Sequence, residues 1–238
     1  AGGVEVLSDV PIVYSREARQ FLVALNRAKT AAMKLKLFTT FSAKAWLPRP
    51  PSISEPLTGL TMGQHAEIMA KKNHISRGAQ DEFAFMSHKR AAEAQKKGYF
   101  AEEIAPAWSP PKYAACIKED NIIRDDTTME KLLSLNPAFD RKYGTITAGN
   151  SSPLTDGAAI TLIAEEGRAK SLGLKAKTRI KDVVFVGVDP RDQLLIGPAI
   201  AIPLLLKQNN LKLEDIDLFE IHEASAAQVL SCLRSMES

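Results

Sequence analysis

The chain is poor in the residues that make metal sites, disulfide frameworks and membrane spans. Among 238 residues there are two cysteines, Cys116 and Cys232, and four histidines. So distant a pair offers no CxxC motif for structural zinc and no disulfide scaffold, which points to a reducing compartment rather than secretion. Long apolar runs are also missing. The longest uncharged stretch, Gln193 to Leu206, is interrupted by Gly197, Pro198 and Pro203 and falls short of the roughly 18 apolar residues of a spanning helix. The opening Ala1-Gly2-Gly3-Val4-Glu5 has no basic leader, no Arg-rich amphipathic segment and no initiator methionine, so the chain reads as starting in mid-protein. Several catalytic signatures are absent as well. No GxSxG elbow, phosphate-binding P-loop or GxGxxG turn occurs, and His222-Glu223 fails as a zinc-protease motif because position 226 is Ala226.

What is present is an ordinary globular composition, 45% hydrophobic and 25% charged with a formal net charge of +3, enough for one large or two modest domains. The charge is uneven. Ser15 to Arg49 holds eight basic residues (Arg16, Arg19, Arg27, Lys29, Lys34, Lys36, Lys44 and Arg49) against Glu17 alone. Such a segment is either a solvated helix face or a surface for an anionic partner. With no aromatic stacking motif beside it, nucleic acid is not the expected partner.

Ser15 should cap a helix whose apolar positions Ala18, Phe21, Leu22, Leu25, Ala28 and Ala32 share one side, with the cations largely opposite. Pro48, Pro50, Pro51 and Pro56 then force an extended linker. Helices are expected over Gly63–Lys72 and from Ser76, packing Ala79, Phe83 and Met86, to near Gly98; Thr127 and Glu130 form a capping box before Met129–Leu135. Beyond Gly144 the texture changes. Thr145–Thr147, Ile160–Ile163, Val183–Val188 and Leu218–Ile221 read as β-prone runs, alternating with helices near Glu165–Ser171 and Pro198–Gln208, the pattern of an α/β sheet with covering helices. The last run should deliver His222 and Glu223 to the start of a helix ending near Met236, where open α/β folds place their chemistry. The lone histidines His65, His74 and His88 read as structural.

Four runs, in this order, carry a resemblance: Met62-Gly-Gln-His-Ala-Glu67, Asp120-Asn-Ile-Ile-Arg124, Thr145 to Ala159, and Phe219-Glu-Ile-His-Glu-Ala224. Together they resemble the thiolase family, and the Ala-Gly-Gly-Val-Glu opening with its basic helical insertion is most similar to the 3-ketoacyl-CoA thiolases of fatty-acid β-oxidation, of the trifunctional-enzyme β-subunit type and its bacterial relatives. That resemblance implies a layered αβαβα fold of class α/β, held here in part. Residues 1–9 would end a strand of the N-terminal domain, 10–138 form a mainly helical loop domain over CoA, 139–178 complete the N-terminal domain, and 179–238 open a C-terminal domain whose cut sheet leaves strands unpaired.

The resemblance further implies an acyltransferase in which one cysteine is acylated and a second acts as acid/base, beside two oxyanion holes. In the family pattern the nucleophile lies upstream of Ala-Gly-Gly, and a Gly-His-Pro loop and the second cysteine lie downstream of His-Glu-Ala. Cys116 and Cys232 match neither motif and read as structural. His222 corresponds to the residue holding a water in one oxyanion hole, and Glu223 supports its loop. Met62 matches a position near the pantetheine arm, Ser152 one that meets the pantetheine amides, and Arg124 one against the nucleotide end of CoA, where a guanidinium suits phosphate or adenine. Ser225 stands where the family has an aromatic residue. No covalent cofactor and no metal are implied, and coenzyme A or acyl-CoA is the substrate. The expected setting is mitochondrial, or the cytoplasm of a bacterium, in a homo-oligomer or larger hetero-complex, with peripheral membrane association through residues 15–49.

Overall fold

The computed structural model describes residues 1–48, 53–109 and 111–237; Arg49, Pro50 and Pro51, expected in the basic segment and the linker, lie outside the described residues. The elements in chain order are β1 (Gly2–Glu5), α1 (Arg16–Arg27), α2 (Ala31–Thr40), α3 (Met62–Lys72), α4 (Arg77–Lys96), β2 (Ala107–Trp108), β3 (Cys116–Ile117), α5 (Met129–Leu133), β4 (Gly157–Ile160), α6 (Glu166–Ser171), α7 (Pro190–Gln193), α8 (Gly197–Gln208) and α9 (Ala226–Glu237), with 3₁₀ turns at Ala43–Trp46 and Leu213–Asp215. They form two compact units, Ala1–Ile53 with Leu154–Lys175, and Ser54–Pro153 with Ala176–Ser238.

In the first unit β1 pairs antiparallel with β4, Gly2 facing Ile160 and Glu5 facing Gly157. Just beyond the ribbon the Asp156 carboxylate accepts from Leu7 N, Ser8 N and Ser8 Oγ at 2.7, 2.8 and 2.5 Å. These bonds, the serine hydroxyl first, hold its pKa below the usual carboxylate range. Ser15 caps α1 as expected: its Oγ accepts from Ala18 N at 3.1 Å and donates to Ala45 O at 2.9 Å.

The single basic helix expected from Ser15 is two. Ala28 turns extended (φ −70°, ψ 117°), and the Thr30 side chain accepts from Met33 N to start α2. A threonine that bonds the backbone ahead of it competes with helix continuation, so the chain folds back. The return brings Phe38, Phe41 and Trp46 to within 5.1, 4.2 and 5.9 Å of the buried Phe21 ring, and α2 ends before any proline. The cations of α1 do lie largely opposite its buried Ala18 and Phe21, as expected. Arg16, Arg19, Arg27 and Lys36 share a groove of about 1020 Å³ between α1 and α2 with Val23 and Met33.

The second unit is a helical cluster. Its core is Ala66 and Ala70 of α3, Ile146, and Ala227 of α9, with Ile75 and Leu195 against it; three alanines allow the helices a close approach. Thr61 and Gln64 make a reciprocal capping box at the start of α3, a T-x-x-Q signal that sequence reading passed over. At α5 the cap is Thr128, accepting from Lys131 N, while Thr127 is buried; the expected box was one residue out of register. Helix α4 is capped by Ser76 and stops before Gly98, whose φ of +74° favours glycine. Its buried face is different from the expected one. Ala79 and Met86 are exposed and Phe83 is half-buried, whereas Gln80, Asp81 and Ala84 are buried.

The β-prone runs fare unevenly. β4 covers Gly157–Ile160 and so meets the expected strand only at Ile160, while Thr145–Thr147, Val183–Val188 and Leu218–Ile221 enter no ladder among the described residues. The only sheets described are two antiparallel ribbons, β1–β4 and β2–β3, in place of the expected sheet with covering helices. At Thr145–Thr147 the reason is local: side-chain acceptors, Glu67 and Asn150, take the backbone donors that a neighbouring strand would use. At the other two runs no second strand pairs alongside among the described residues, and Phe185 and Leu218 stay in solvent, 90% and 89% exposed, while Val184, Val186, Val188 and Ile221 are half-buried. No described helix is long and apolar enough to cross a membrane.

Candidate functional site

Two loops of the second unit lie zipped together. Ser152 N donates to Ala224 O and Ala226 N to Asn150 O, each at 3.0 Å, around a bridge between Ser151 and Ser225. The first loop, Thr145 to Ser152, is held from below by the buried Glu67 of α3. Its carboxylate accepts from Thr145 N at 2.9 Å and from Ile146 N at 2.8 Å. Within the loop, Asn150 Oδ1 accepts from Thr147 N, and its Nδ2 donates to Asp81 Oδ1 at 2.8 Å. Gly144 must lack a side chain, because a Cβ would sit 2.4 Å from Asp140 O and 2.5 Å from Glu67 Oε1.

Helix α4 is the bar to which these loops are fastened. Arg77 pairs with the fully buried Asp81 at 2.7 Å and donates to Leu132 O and Leu135 O. Gln80 Nε2 donates to Thr145 Oγ1 at 2.9 Å. Further along, Ser87 Oγ donates to Glu223 Oε2 at 2.6 Å, and His88 Nδ1 accepts from Arg124 N at 3.3 Å. Lys89 Nζ adds a bond to Asp125 O at 3.2 Å. Partial burial, then the nearby Arg124 guanidinium, lower the His88 pKa, which keeps the ring neutral and Nδ1 free to accept.

Of the residues singled out in the sequence, Ser152 and Glu223 therefore meet through Ala224, and Arg124 is tied to the same helix that anchors Glu223. His222 is exposed on the loop, with no side-chain hydrogen bond among the described residues. It sits four residues before α9, so no strand delivers it to a helix start. Met62, the first residue of α3, is 40% exposed and is not joined to the other four by a hydrogen bond. Ser225 is 4% exposed and caps α9, its Oγ accepting from Gln228 N at 3.1 Å. Cys232 is fully buried on α9, and burial pushes its thiol pKa up; such a thiol is not a nucleophile. Cys116 lies half-buried on β3. Among the described residues no cluster of His, Cys, Asp or Glu could hold a metal ion. Sequence reasoning missed Glu67, Asp81, Ser87 and Asn150, and set His88 aside as structural. Of the four missed, Glu67 lies within a family-like motif and Asn150 within the Gly/Ser-rich loop; polar residues on what reads as a solvated helix gave no signal for Asp81 and Ser87.

Residues 1–167 match the model of the thiolase N-terminal domain and 174–238 that of the thiolase C-terminal domain. The chain belongs to the thiolase family, and its fold is a partial thiolase fold of class α/β. Over all 238 residues it is 47% identical to a probable 3-ketoacyl-CoA thiolase of Caenorhabditis elegans, covering 53% of that protein, and 44% identical to a 3-ketoacyl-CoA thiolase of Photobacterium profundum, covering 54%. Human mitochondrial 3-ketoacyl-CoA thiolase in complex with CoA superposes with a TM-score of 0.77 at 30% identity, over 100% of this chain and 55% of the human one. The dimeric peroxisomal thiolase of Saccharomyces cerevisiae gives 0.71 at 36%, over 86% and 52%. The chain thus spans about half the length of the curated relatives it matches.

Proposed function

We propose that this chain supplies the acyl-CoA-binding and oxyanion-stabilising elements of a 3-ketoacyl-CoA thiolase of fatty-acid β-oxidation. The observation that carries the reading is the clamp just described, in which the Ser152 loop and the His222-Glu223 loop are zipped together and both are fastened to α4. In thiolysis the C2–C3 bond of a 3-ketoacyl-CoA breaks, the acyl group passes to a cysteine sulfur, the acetyl-CoA enolate takes up a proton, and a second CoA thiol removes the acyl group. This chain's part is to place charge and donors. Arg124 meets the nucleotide end of CoA, Ser152 the pantetheine amides and Met62 the arm beside them, while His222 orients a water toward the developing oxyanion and Glu223 steadies its loop. Neither cysteine fits the acyl-accepting role, so the purified 238 residues alone should not turn over acetoacetyl-CoA. The division into residues 1–9, 10–138, 139–178 and 179–238 belongs to the same proposal.

Titration calorimetry tests the binding role. Arg124→Ala should weaken CoA about 10- to 100-fold, the worth of a charge-assisted contact of roughly 1.5–3 kcal/mol; equal affinity in both proteins would overturn the assignment of Arg124. Ser225 favours a second reading, a thiolase-derived component without catalysis retained for assembly, because a buried capping serine replaces the family's aromatic. Thiolysis regained when the chain is combined with the cysteine-bearing segments of a related thiolase would exclude it.

The proposal extends to setting and partners: a mitochondrial enzyme, as the human relative's name supports, oligomeric like the dimeric yeast relative. Within it the α1–α2 hairpin rests on an anionic membrane surface, supported by the Arg16, Arg19, Arg27 and Lys36 groove. Attraction worth about 1 kcal/mol per cation near the surface is screened within a Debye length. Co-sedimentation with cardiolipin-containing vesicles should therefore fall steeply with salt and on charge reversal at Arg19, Arg27 and Lys34. Binding indifferent to both would leave the hairpin as a solvated face.

A further inference from the structure

Ser87 and His88 are neighbours on α4, yet each reaches a different loop of the site. The serine hydroxyl donates to Glu223 Oε2 at 2.6 Å, and the imidazole Nδ1 accepts from the backbone N–H of Arg124 at 3.3 Å. The chain separation is large on both sides, 136 residues to Glu223 and 36 to Arg124, so neither contact is a by-product of local geometry. Arg124 itself lies in an exposed stretch outside any helix or strand, and its side chain has no hydrogen bond or ion pair among the described residues. Its backbone is therefore fixed by what holds the loop: the His88 ring on its N–H, Thr127 N donating to its carbonyl at 3.3 Å, and Lys89 on Asp125 O one residue on. A side chain on a helix is a more rigid reference than a loop, because its own rotamer is set by the helix surface.

We infer that the Ser87-His88 pair is a positioning device for the acyl-CoA site: His88 fixes the Arg124 backbone so that the guanidinium is presented to the nucleotide end of the ligand, and Ser87 fixes Glu223 and with it the loop bearing His222. The inference rests on the proposed placement of Arg124 and His222 and adds two residues that neither touch the ligand nor belong to the motifs that carry the family resemblance. It also gives the hydrogen bonds a direction of consequence. Loss of His88 should disturb the nucleotide end alone, and loss of Ser87 the zipped pair of loops alone.

The test uses the 238-residue chain, with adenosine 3′,5′-bisphosphate as the nucleotide-end probe and pantetheine as the probe for the arm. His88→Leu should weaken the bisphosphate about three- to tenfold, the fold-change of one net hydrogen bond, and leave pantetheine unchanged. His88→Asn, whose Oδ1 stands where Nδ1 stood, should restore it. Amide exchange gives an independent readout: the Arg124 amide should exchange faster in His88→Leu and not in Ser87→Ala, whereas the Ser152 amide should do the reverse. Wild-type bisphosphate affinity in His88→Leu, equal loss of both probes, failure of His88→Asn to restore, or exchange spread over both loops in either variant would each overturn the inference. Should Arg124→Ala leave the bisphosphate unaffected, the placement of Arg124 itself falls and His88's role with it. A loss in Arg124→Ala without one in His88→Leu removes the positioning role and leaves the site.

Discussion

Replacing Glu67 by alanine should cost the helical unit about 3–5 kcal/mol. The side chain is 3% exposed and accepts the N–H groups of Thr145 and Ile146, with the Thr145 hydroxyl alongside at 3.3 Å. Ile146 is fully buried, so its amide has no water to turn to. Each buried donor left without an acceptor costs about 1–3 kcal/mol, and the space vacated by the carboxylate adds to that. Glu67→Gln should cost less, about 1–3 kcal/mol, because one amide oxygen still accepts while the new –NH₂ meets backbone donors. Urea unfolding with an unchanged m-value is the measurement. A loss below about 1 kcal/mol for Glu67→Ala would mean that water enters and replaces the carboxylate. The same variant should bind CoA poorly even where it stays folded, since the Ser152 loop hangs on these bonds.

Arg77→Ala carries the second large effect, and it comes from the partner that remains. Asp81 is fully buried, and its carboxylate is met by Arg77 Nε at 2.7 Å and by Asn150 Nδ2 at 2.8 Å. Removing the guanidinium leaves a buried charge with one neutral donor, a situation that costs about 3–5 kcal/mol; the lower end is expected because Arg77 is 22% exposed and water can follow it in. Two carbonyls, Leu132 O and Leu135 O, lose their donor as well. The double variant Arg77→Ala/Asp81→Asn should recover part of the loss, since it removes the charge while an amide can still meet Asn150. Urea unfolding of the two single variants and the double closes the cycle. Additive losses would show that the pair is not coupled.

Much of this protein was determined by its sequence alone. The caps at Ser15 and Ser76, the stop at Gly98 and the extent of α3 and α8 follow from interactions within a few residues, which any context preserves. The motifs around Met62, Arg124, Ser152 and His222 likewise marked the family without any coordinate. Tertiary structure decided the rest, for one physical reason: the partner group comes from far along the chain. Val183–Val188 has strand composition, but a ladder needs a second strand, and none pairs with it among the described residues. Asp81, Gln80, Ser87 and His88 read as the wet side of α4 because their partners, at Asn150, Thr145, Glu223 and Arg124, stand 36 to 136 residues away. The basic helix broke at Thr30 because folding back lets two phenylalanines and a tryptophan bury Phe21. Periodicity records which side chains can avoid water; it does not record which distant polar group will make burial affordable, and that matching is what built the site.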